Sequence, residues 1–237
     1  MPSKFLSAEW KYLIMANYAV DPEILKPYLP AKTELDIYEG NCFISLVGFL
    51  FHNTKVAGIS IPFHKNFEEI NLRFYVKYNN NGIWKRGVVF ISEVVPKPAI
   101  ALIANTLFNE KYRTHRTKNS LTHDDTLLSV RYQWRHQKKW NSISVKAETV
   151  AIAIPEGSHE EFITEHYWGY SPINKLKTGE YKVEHPRWEI FPVISYEINC
   201  DFKAMYGNEF SFLQNIKPNS VLLAKGSAVT VSKRKII

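Results

Sequence analysis

The segment from Phe67 to Tyr78 constrains the fold more than any other part of the chain, because its apolar and polar residues alternate. One set of alternate positions is apolar: Ile70, Leu72, Phe74 and Val76. The other set is polar or phenolic: Glu69, Asn71, Arg73 and Tyr75. Successive side chains of a β-strand point to opposite faces of the sheet, so this pattern predicts a strand with one face in the core.

A turn and a second strand follow directly. Asn and Gly tolerate positive φ, so Asn79-Asn80-Asn81-Gly82 predicts a hairpin turn, and Arg86 to Val95 is predicted as the returning strand. Apolar or alternating runs predict further strands at 42–51, 127–134, 142–154, 162–170, 181–183, 194–198 and 220–231. The polar stretch from Lys111 to Asp125 is predicted to be a long loop.

Three short helices are predicted among these strands. Asp21 followed by Pro22 is typical of a helix start, and 99–109 and 201–213 carry apolar residues at helical spacing. Strands and helices do not alternate, which favours a mainly β (α+β) fold built as an antiparallel barrel or strongly curved sheet. No linker divides the 237 residues, so we expect a single domain over 1–237.

The basic composition raises the question of nucleic acid. Lys and Arg number 30 against 23 Asp and Glu, and Arg131 to Trp140 mixes basic and aromatic residues. However, Val130, Tyr132 and Trp134 share one face of that segment, which favours a half-buried strand that ends in a Lys-rich turn. Nucleic-acid binding through this hairpin is kept as the weaker alternative.

Several other classes of protein find no support in the sequence. Cys42 and Cys200 cannot form a disulfide framework and are predicted to be buried thiols in a reducing compartment. The first residues do not resemble a secretory signal, and the longest apolar run is too short to span a membrane, so we expect a cytoplasmic protein without a membrane partner. The histidines form no metal-binding motif and no phosphate loop is present, so we expect neither metal nor cofactor.

The polar row of the first strand is the main candidate site. If the sheet curves into a barrel, Glu69, Asn71, Arg73 and Tyr75 face a pocket, and the guanidinium of Arg73 suits a carboxylate. Aromatic clusters further along the chain would supply the pocket wall: His166, Tyr167, Trp168, His185 and Trp188. The alternatives are that the row is simply the solvent face of its strand and that the rings fill a core.

Lys97 is a second kind of candidate, because Pro96 and Pro98 hold it on rigid backbone between a strand and a helix. A lysine buried in a cavity loses its proton more easily and can form a Schiff base with a carbonyl. Glu93 or Glu69 would then move protons beside it. The alternative is an exposed loop lysine, which is the usual situation of this residue type.

Taken together, five segments of the chain resemble the YqjF-like family of uncharacterised bacterial proteins. They are Asp21 to Asp36, Ser45 to Phe49, Phe67 to Val76, Glu165 to Tyr170 and His185 to Trp188. That family in turn is distantly similar to acetoacetate decarboxylase, which implies a β-barrel or cone around a small-molecule pocket. Acetoacetate decarboxylase carries its Schiff-base lysine in a Pro-Lys-Lys step, which Pro96-Lys97-Pro98 resembles in outline.

Two functional hypotheses follow. In the first, the protein binds a small acidic or polar organic ligand in an internal pocket without chemistry. In the second, it is a decarboxylase-like lyase that acts on a β-keto acid through Lys97, so the sequence leaves open whether the protein is an enzyme. The oligomeric state is also open, and a homo-oligomer is compatible with the sequence.

Overall fold

A computed structural model describes residues 4–237 as a mainly β protein. The strands are β1 (Lys4–Val20), β2 (Thr33–Leu35), β3 (Cys42–Val56), β4 (Phe67–Asn80), β5 (Ile83–Val95), β6 (Tyr112–Thr114), β7 (Thr117–His123), β8 (Leu128–His136), β9 (Lys139–Ala147), β10 (Ile152–Ala153), β11 (Trp168–Pro172), β12 (Thr178–Glu184), β13 (Glu189–Phe191), β14 (Val193–Asn199), β15 (Ser220–Ser232) and β16 (Lys235–Ile236). The helices are α1 (Pro22–Leu25), α2 (Pro98–Phe108), α3 (His159–Thr164) and α4 (Phe202–Tyr206), with 3-10 turns at Lys26–Tyr28 and Asn208–Gln214.

The larger sheet curves so strongly that the first and last of its central strands pair with each other. Its central strands run in the order β15, β1, β3, β4, β5, β11 and β12, and all these neighbours are antiparallel except β5 and β11. Strand β12 then pairs with β15 at Val183–Val231 and Glu184–Thr230. The result is a cone-like sheet, so the prediction of a mainly β fold with a strongly curved sheet is confirmed.

A second sheet, in the order β14, β9, β8 and β7, packs against the outside of the cone. Tyr132 and Trp134 are fully buried in the shared core, and the Tyr132 hydroxyl donates to the carbonyl of Tyr12 at 2.9 Å. Gly48 permits this approach, because a Cβ there would lie 2.9 Å from the Tyr132 ring. The alternation around 131–140 is therefore explained by burial of one face of a strand.

The two faces of β4 lie in different surroundings, as the alternation predicts. Leu72 and Phe74 belong to the core between the two sheets, whereas Tyr75 belongs to a second apolar cluster on the other side of the larger sheet. The polar face of β4 is thereby turned toward the interior of the cone.

Several local predictions are confirmed. Asp21 caps α1, since its carboxylate accepts from the Glu23 amide at 2.9 Å. Strands β4 and β5 form the expected hairpin, with Asn81 and Gly82 at φ of 54° and 88°. Cys42 and Cys200 are both buried and unpaired by disulfides.

Two predicted segments are wrong. The stretch from Lys111 to Asp125 is not a loop but contains β6 and β7, and β7 is polar because it is an exposed edge strand. Residues 162–170 are not one strand, because 159–164 form α3. The Ser158 hydroxyl accepts from the Glu161 amide at 3.2 Å, a helix cap that outweighs the local run of apolar residues.

Two further boundaries differ from expectation. The helix predicted over 201–213 ends at Tyr206, because Gly207 takes φ of 117° and a 3-10 turn follows. Strand β1 is absent from the predicted elements, although its residues Leu13 to Ala16 are fully buried.

Candidate functional site

A cavity of about 150 Å³ lies inside the cone and is closed on one side by α2. Most of its wall is apolar, with Phe49, Val88, Phe90, Ile100 and Trp188 among the residues that form it. The polar side chains in the wall, apart from the tryptophans, are Thr54, His64, Glu69, Asn71, Arg73, Glu93, Glu110, Tyr112, Thr164, His166, Tyr181 and His185. A cavity of this volume holds a molecule of about six to eight non-hydrogen atoms.

Three members of the β4 polar row, Glu69, Asn71 and Arg73, line this cavity. The fourth, Tyr75, does not line it. Its hydroxyl lies 2.7 Å from Oγ of Ser45, and its ring packs 4.7 Å from that of His166. Tyr75 therefore supports the wall from behind.

Arg73 has no acidic partner among the residues that the structure describes. Within residues 4–237, no carboxylate oxygen lies within 4.0 Å of its guanidinium. Its only hydrogen-bond contact is from Nη2 to Sδ of Met15 at 3.8 Å, and its buried Nε has no partner in the described chain. A half-buried guanidinium with unsatisfied donors is suited to an anion that enters the cavity.

Carboxyl groups and tyrosines occupy another part of the wall. Oε1 of Glu69 accepts from the Asn71 amide at 3.0 Å, and Oε2 accepts from the Tyr112 hydroxyl at 2.9 Å. Tyr181 donates to Oε1 of Glu110 at 2.8 Å. Glu93 is 1% exposed, and its Oε2 has no hydrogen-bond partner among the described residues.

Burial shifts the pKa of each carboxyl upward. Desolvation raises the pKa of Glu69 to about 7, despite its two hydrogen bonds and the charge of Arg73. Desolvation likewise raises the pKa of Glu110 to about 8. The pKa of Glu93 is raised well above its usual value by desolvation and by the nearby charges of Glu110 and Glu69.

Glu110, Tyr112 and Tyr181 were not identified as site residues from the sequence. Tyr112 lies in the stretch predicted as a loop, and Glu110 lies between that stretch and the helix predicted over 99–109. Their placement depends on Asn109, which ends α2 in the left-handed conformation at φ of 57°. The chain then reverses, and β6 pairs in parallel with β5 so that Tyr112 lies beside Glu93. The sequence did contain one signal for this reversal, namely an Asn directly after an apolar helical run.

His166 lines the cavity in a fixed orientation. Its Nε2 lies 3.0 Å from Oδ2 of Asp36, which also accepts from Nε of Arg86 at 2.6 Å. Desolvation lowers the pKa of His166 to about 4, so the ring is neutral at pH 7. Desolvation would raise the pKa of Asp36, but the hydrogen bonds from His166 and Arg86 lower it to about 2.

The aromatic residues predicted as a wall are divided. Trp168, His185 and Trp188 line the cavity, and the His185 and Trp188 rings stack with centroids 4.1 Å apart. Tyr167 does not line the cavity but packs against His185 at 4.8 Å and bonds to Glu165.

Lys97 lies outside the cavity wall, half-buried at the residue that precedes α2. The part of the chain that the structure describes contributes no lysine to the lining. Glu93, predicted to act beside Lys97, does line the cavity. Across positions 4–237, no three His, Cys, Asp or Glu side chains lie close enough together to hold a metal ion.

Solved structures of similar shape support the cone-like fold. The enzyme MppR of enduracididine biosynthesis, in complex with pyruvate, superposes with a TM-score of 0.69 and 10% sequence identity over 100% of this chain and 91% of its own. Acetoacetate decarboxylase of Legionella pneumophila gives a TM-score of 0.65 and 12% identity over 100% and 87% of the two chains. At these identities the similarity establishes the fold. None of the helices described is long and apolar enough to cross a membrane.

Sequence comparison gives a nearer relationship. The uncharacterised protein YqjF of Bacillus subtilis (strain 168) is 34% identical over 181 residues, which cover 76% of this chain and 72% of YqjF. Residues 7–228 match the model of DUF2071, a family of uncharacterised conserved proteins. The resemblance seen in the sequence is thereby confirmed, and the chain belongs to the DUF2071 family.

Proposed function

We propose that this protein binds a small organic acid inside the cone, with Arg73 holding the carboxylate of the ligand. The observation that carries this proposal is the guanidinium of Arg73, which lines a mostly apolar cavity without an acidic partner in the described chain. Leaving a charged group partly buried and unpaired is costly, and a bound carboxylate removes that cost through two parallel hydrogen bonds.

The other walls fit a ligand of this kind. Trp168, His185 and Trp188 offer flat apolar surface to its carbon atoms. The indole of Trp188 is fixed by a hydrogen bond to Oγ of Ser227 at 2.8 Å, and that of Trp168 lies 4.2 Å from Nζ of Lys85. Rigid walls reduce the entropy that is lost when a ligand binds.

The comparisons add support at the level of the fold. MppR, a protein of the same architecture, has been solved with pyruvate, which is a small carboxylate. Schiff-base chemistry through Lys97 is not part of our proposal, because Lys97 is not among the residues that line the cavity.

Isothermal titration with a panel of small monocarboxylates tests the proposal. We expect a subset to bind the wild-type protein, and we expect Arg73→Ala to weaken that binding at least tenfold, since one bidentate charged contact is lost. Arg116→Ala is the matched control, because it removes the same charge from an exposed position. Arg73→Lys should keep part of the affinity, since it retains the charge but not the fork.

Two results would contradict the proposal. One is the absence of heat and of thermal shift for every acid in the panel. The other is unchanged affinity in an Arg73→Ala protein whose circular dichroism shows that it is folded.

A further inference from the structure

Three carboxyl groups share the wall of the cavity, and none has an ion-pair partner in the described part of the chain. Glu69, Glu93 and Glu110 all line it, and in residues 4–237 no Lys, Arg or His nitrogen lies within 4.0 Å of their oxygens. Three buried negative charges in one wall would repel one another and would lose their hydration. The group therefore keeps protons that exposed carboxyls would release.

A protonated carboxyl differs from a carboxylate because it can donate a hydrogen bond. Glu69 already accepts bonds at both oxygens, and Glu110 accepts one from Tyr181. Oε2 of Glu93 has no partner within the described chain, although the residue is only 1% exposed. Glu93 and Glu110 therefore each keep a hydrogen-bonding position for a ligand, and Glu93 is the one that pairs opposite Asn71, two residues from Arg73 on β4.

Arg73 and Glu93 are close enough to contact one small molecule. Glu93 lies directly opposite Asn71 in the β4–β5 pair, and Asn71 precedes Arg73 by two residues on the same face of β4. Two residues of strand span about 7 Å. The amide of Asn71, which is 1% exposed, lies between them with its Oδ1 unpartnered in residues 4–237.

We propose that Glu93 acts as a hydrogen-bond donor that determines specificity, so that the cavity selects acids with an uncharged oxygen acceptor beside the carboxylate held by Arg73. This inference rests on the proposed function and names the class of ligand. The preferred ligand carries a carboxylate at one end and a ketone, aldehyde or amide oxygen at the other. A second carboxylate in that position would lose its hydration without a cation of the described lining beside it, which is costly.

Other charged and titratable groups near the three carboxyl groups affect the pH at which these carboxyl groups lose their protons. On β4 these are Glu69 and Arg73. The chain after α2 contributes Glu110, Lys111 and Tyr112, β12 contributes Tyr181, and the C-terminal segment brings Arg234 near Glu110. Helix α2 itself gives the cavity only apolar side chains, Ala99, Ile100, Ile103, Ala104 and Phe108.

The pH dependence has a definite sign. The pKa values of Glu69 and Glu110, about 7 and about 8, are raised by desolvation, and that of Glu93 is raised as well. The protonated form of the three carboxyl groups, which can donate hydrogen bonds, is therefore favoured at low pH and is lost as the pH rises. The carboxylate contact with Arg73 is present throughout, because a guanidinium remains charged.

Titration calorimetry with 4-oxopentanoate and pentanoate tests the inference, because the two acids differ by a single ketone oxygen. We expect the wild-type protein to bind 4-oxopentanoate about tenfold more tightly than pentanoate at pH 6, which is the effect of one buried hydrogen bond. We expect this preference to fall as the pH is raised toward 10, while the affinity for pentanoate changes less.

Two variants at the same position separate donation from packing. Glu93→Gln keeps a donor that does not titrate, so the preference for the ketone should persist at pH 10. Glu93→Leu removes the donor, so the preference should disappear at every pH while pentanoate still binds. Glu156→Gln, an exposed change of the same kind, should behave as wild type. If Glu93→Leu does not fold, Glu93→Gln and the wild-type pH series still decide the question.

The failures of the two proposals are distinguishable. Equal affinity for the two acids at pH 6, with binding that still depends on Arg73, would overturn the role of Glu93 and leave the proposed function standing. Retention of the ketone preference in folded Glu93→Leu would also overturn it. If the binding of neither acid depends on Arg73, the proposed function itself is overturned.

Discussion

Nε2 of His166 lies 3.0 Å from Oδ2 of Asp36, although 130 residues separate them in the sequence. Because Asp36 is ionised and His166 is neutral at pH 7, the imidazole carries its proton on Nε2 and leaves Nδ1 as an acceptor. Arg86 donates to the same carboxylate oxygen at 2.6 Å. One aspartate thus fixes both an arginine and the orientation of a ring in the cavity wall.

Replacement of this aspartate tests that arrangement. We expect Asp36→Asn to lower the free energy of unfolding at pH 7 by about 2 kcal/mol, since it removes a buried charged acceptor from two donors. Urea denaturation measures the change. Glu34→Gln is the control, because its partner Lys77 at 3.2 Å forms a more exposed pair, and we expect a loss below about 1 kcal/mol.

The same residue predicts a response to acid. The pKa of Asp36 falls from an ordinary value of 3.8 to about 2 in the folded protein, so its contribution is present above pH 4 and is lost as the pH falls toward 2. The stability difference between wild type and Asp36→Asn should therefore shrink over this interval. A difference that stays constant from pH 5 to pH 2 would contradict the assignment.

The pKa of Glu69 is shifted in the opposite direction to that of Asp36, so its effect on stability has the opposite dependence on pH. Its pKa is higher in the folded protein, about 7 against an ordinary 4.5, so folding becomes less favourable as the pH rises through this interval. We expect Glu69→Gln to increase the free energy of unfolding at pH 8, by roughly 1–3 kcal/mol, and to change it little at pH 4. Glu156→Gln should show no such pH dependence. Destabilisation by Glu69→Gln at pH 8 would show that the carboxylate form is the favoured one.

A buried ion pair between β5 and β12 gives another test. Nζ of Lys85 lies 2.9 Å from Oε1 of Glu180, whose side chain is 4% exposed. We expect Lys85→Met to cost about 3 kcal/mol, because it leaves an uncompensated charge in the interior. Lys182→Met breaks the more exposed pair with Glu184 and should cost less than about 1 kcal/mol. If adding Glu180→Gln to Lys85→Met restores most of the lost free energy of unfolding, the unpaired charge of Glu180 is the cause of the loss.

Gly169 controls the position of Tyr181. A Cβ at Gly169 would lie 2.1 Å from Cζ of Tyr181, so alanine forces the ring away from Glu110. We expect Gly169→Ala to lower the free energy of unfolding by about 2–3 kcal/mol. In the presence of Tyr181→Leu, the same change should cost much less, which a double-mutant cycle measures. Equal costs in both backgrounds would place the effect in the backbone of β11.

The sequence was sufficient where a short-range rule decided the structure. Alternation placed Glu69, Asn71 and Arg73 on one face of β4, and the Asn-rich turn placed β5 beside it. The sequence was insufficient for α3, because the cap at Ser158 competed with apolar residues that also suit a strand. An exposed edge strand such as β7 buries too few side chains to carry the apolar signal that would distinguish it from a loop.

The site was predictable only in part, because it is assembled from segments that are far apart in the chain. Glu110 and Tyr181 are 71 residues apart and meet only through the pairing of β12 and the reversal at Asn109. No local pattern encodes such a meeting. Lys97 illustrates the converse, since flanking prolines fixed its backbone without directing it to the cavity.

The pairing of β1 with β15 also affects how the protein must be made. Asn17 and Ser220 are paired neighbours that lie 203 residues apart, so at about 5–20 residues per second β1 waits roughly 10–40 s on the ribosome for its partner. During that interval one edge of β1 has free amides and carbonyls, and its apolar residues Leu13 to Ala16 lack part of their cover. An open edge of this kind pairs readily with other chains. Successful synthesis therefore depends on keeping nascent copies of β1 apart until β15 emerges.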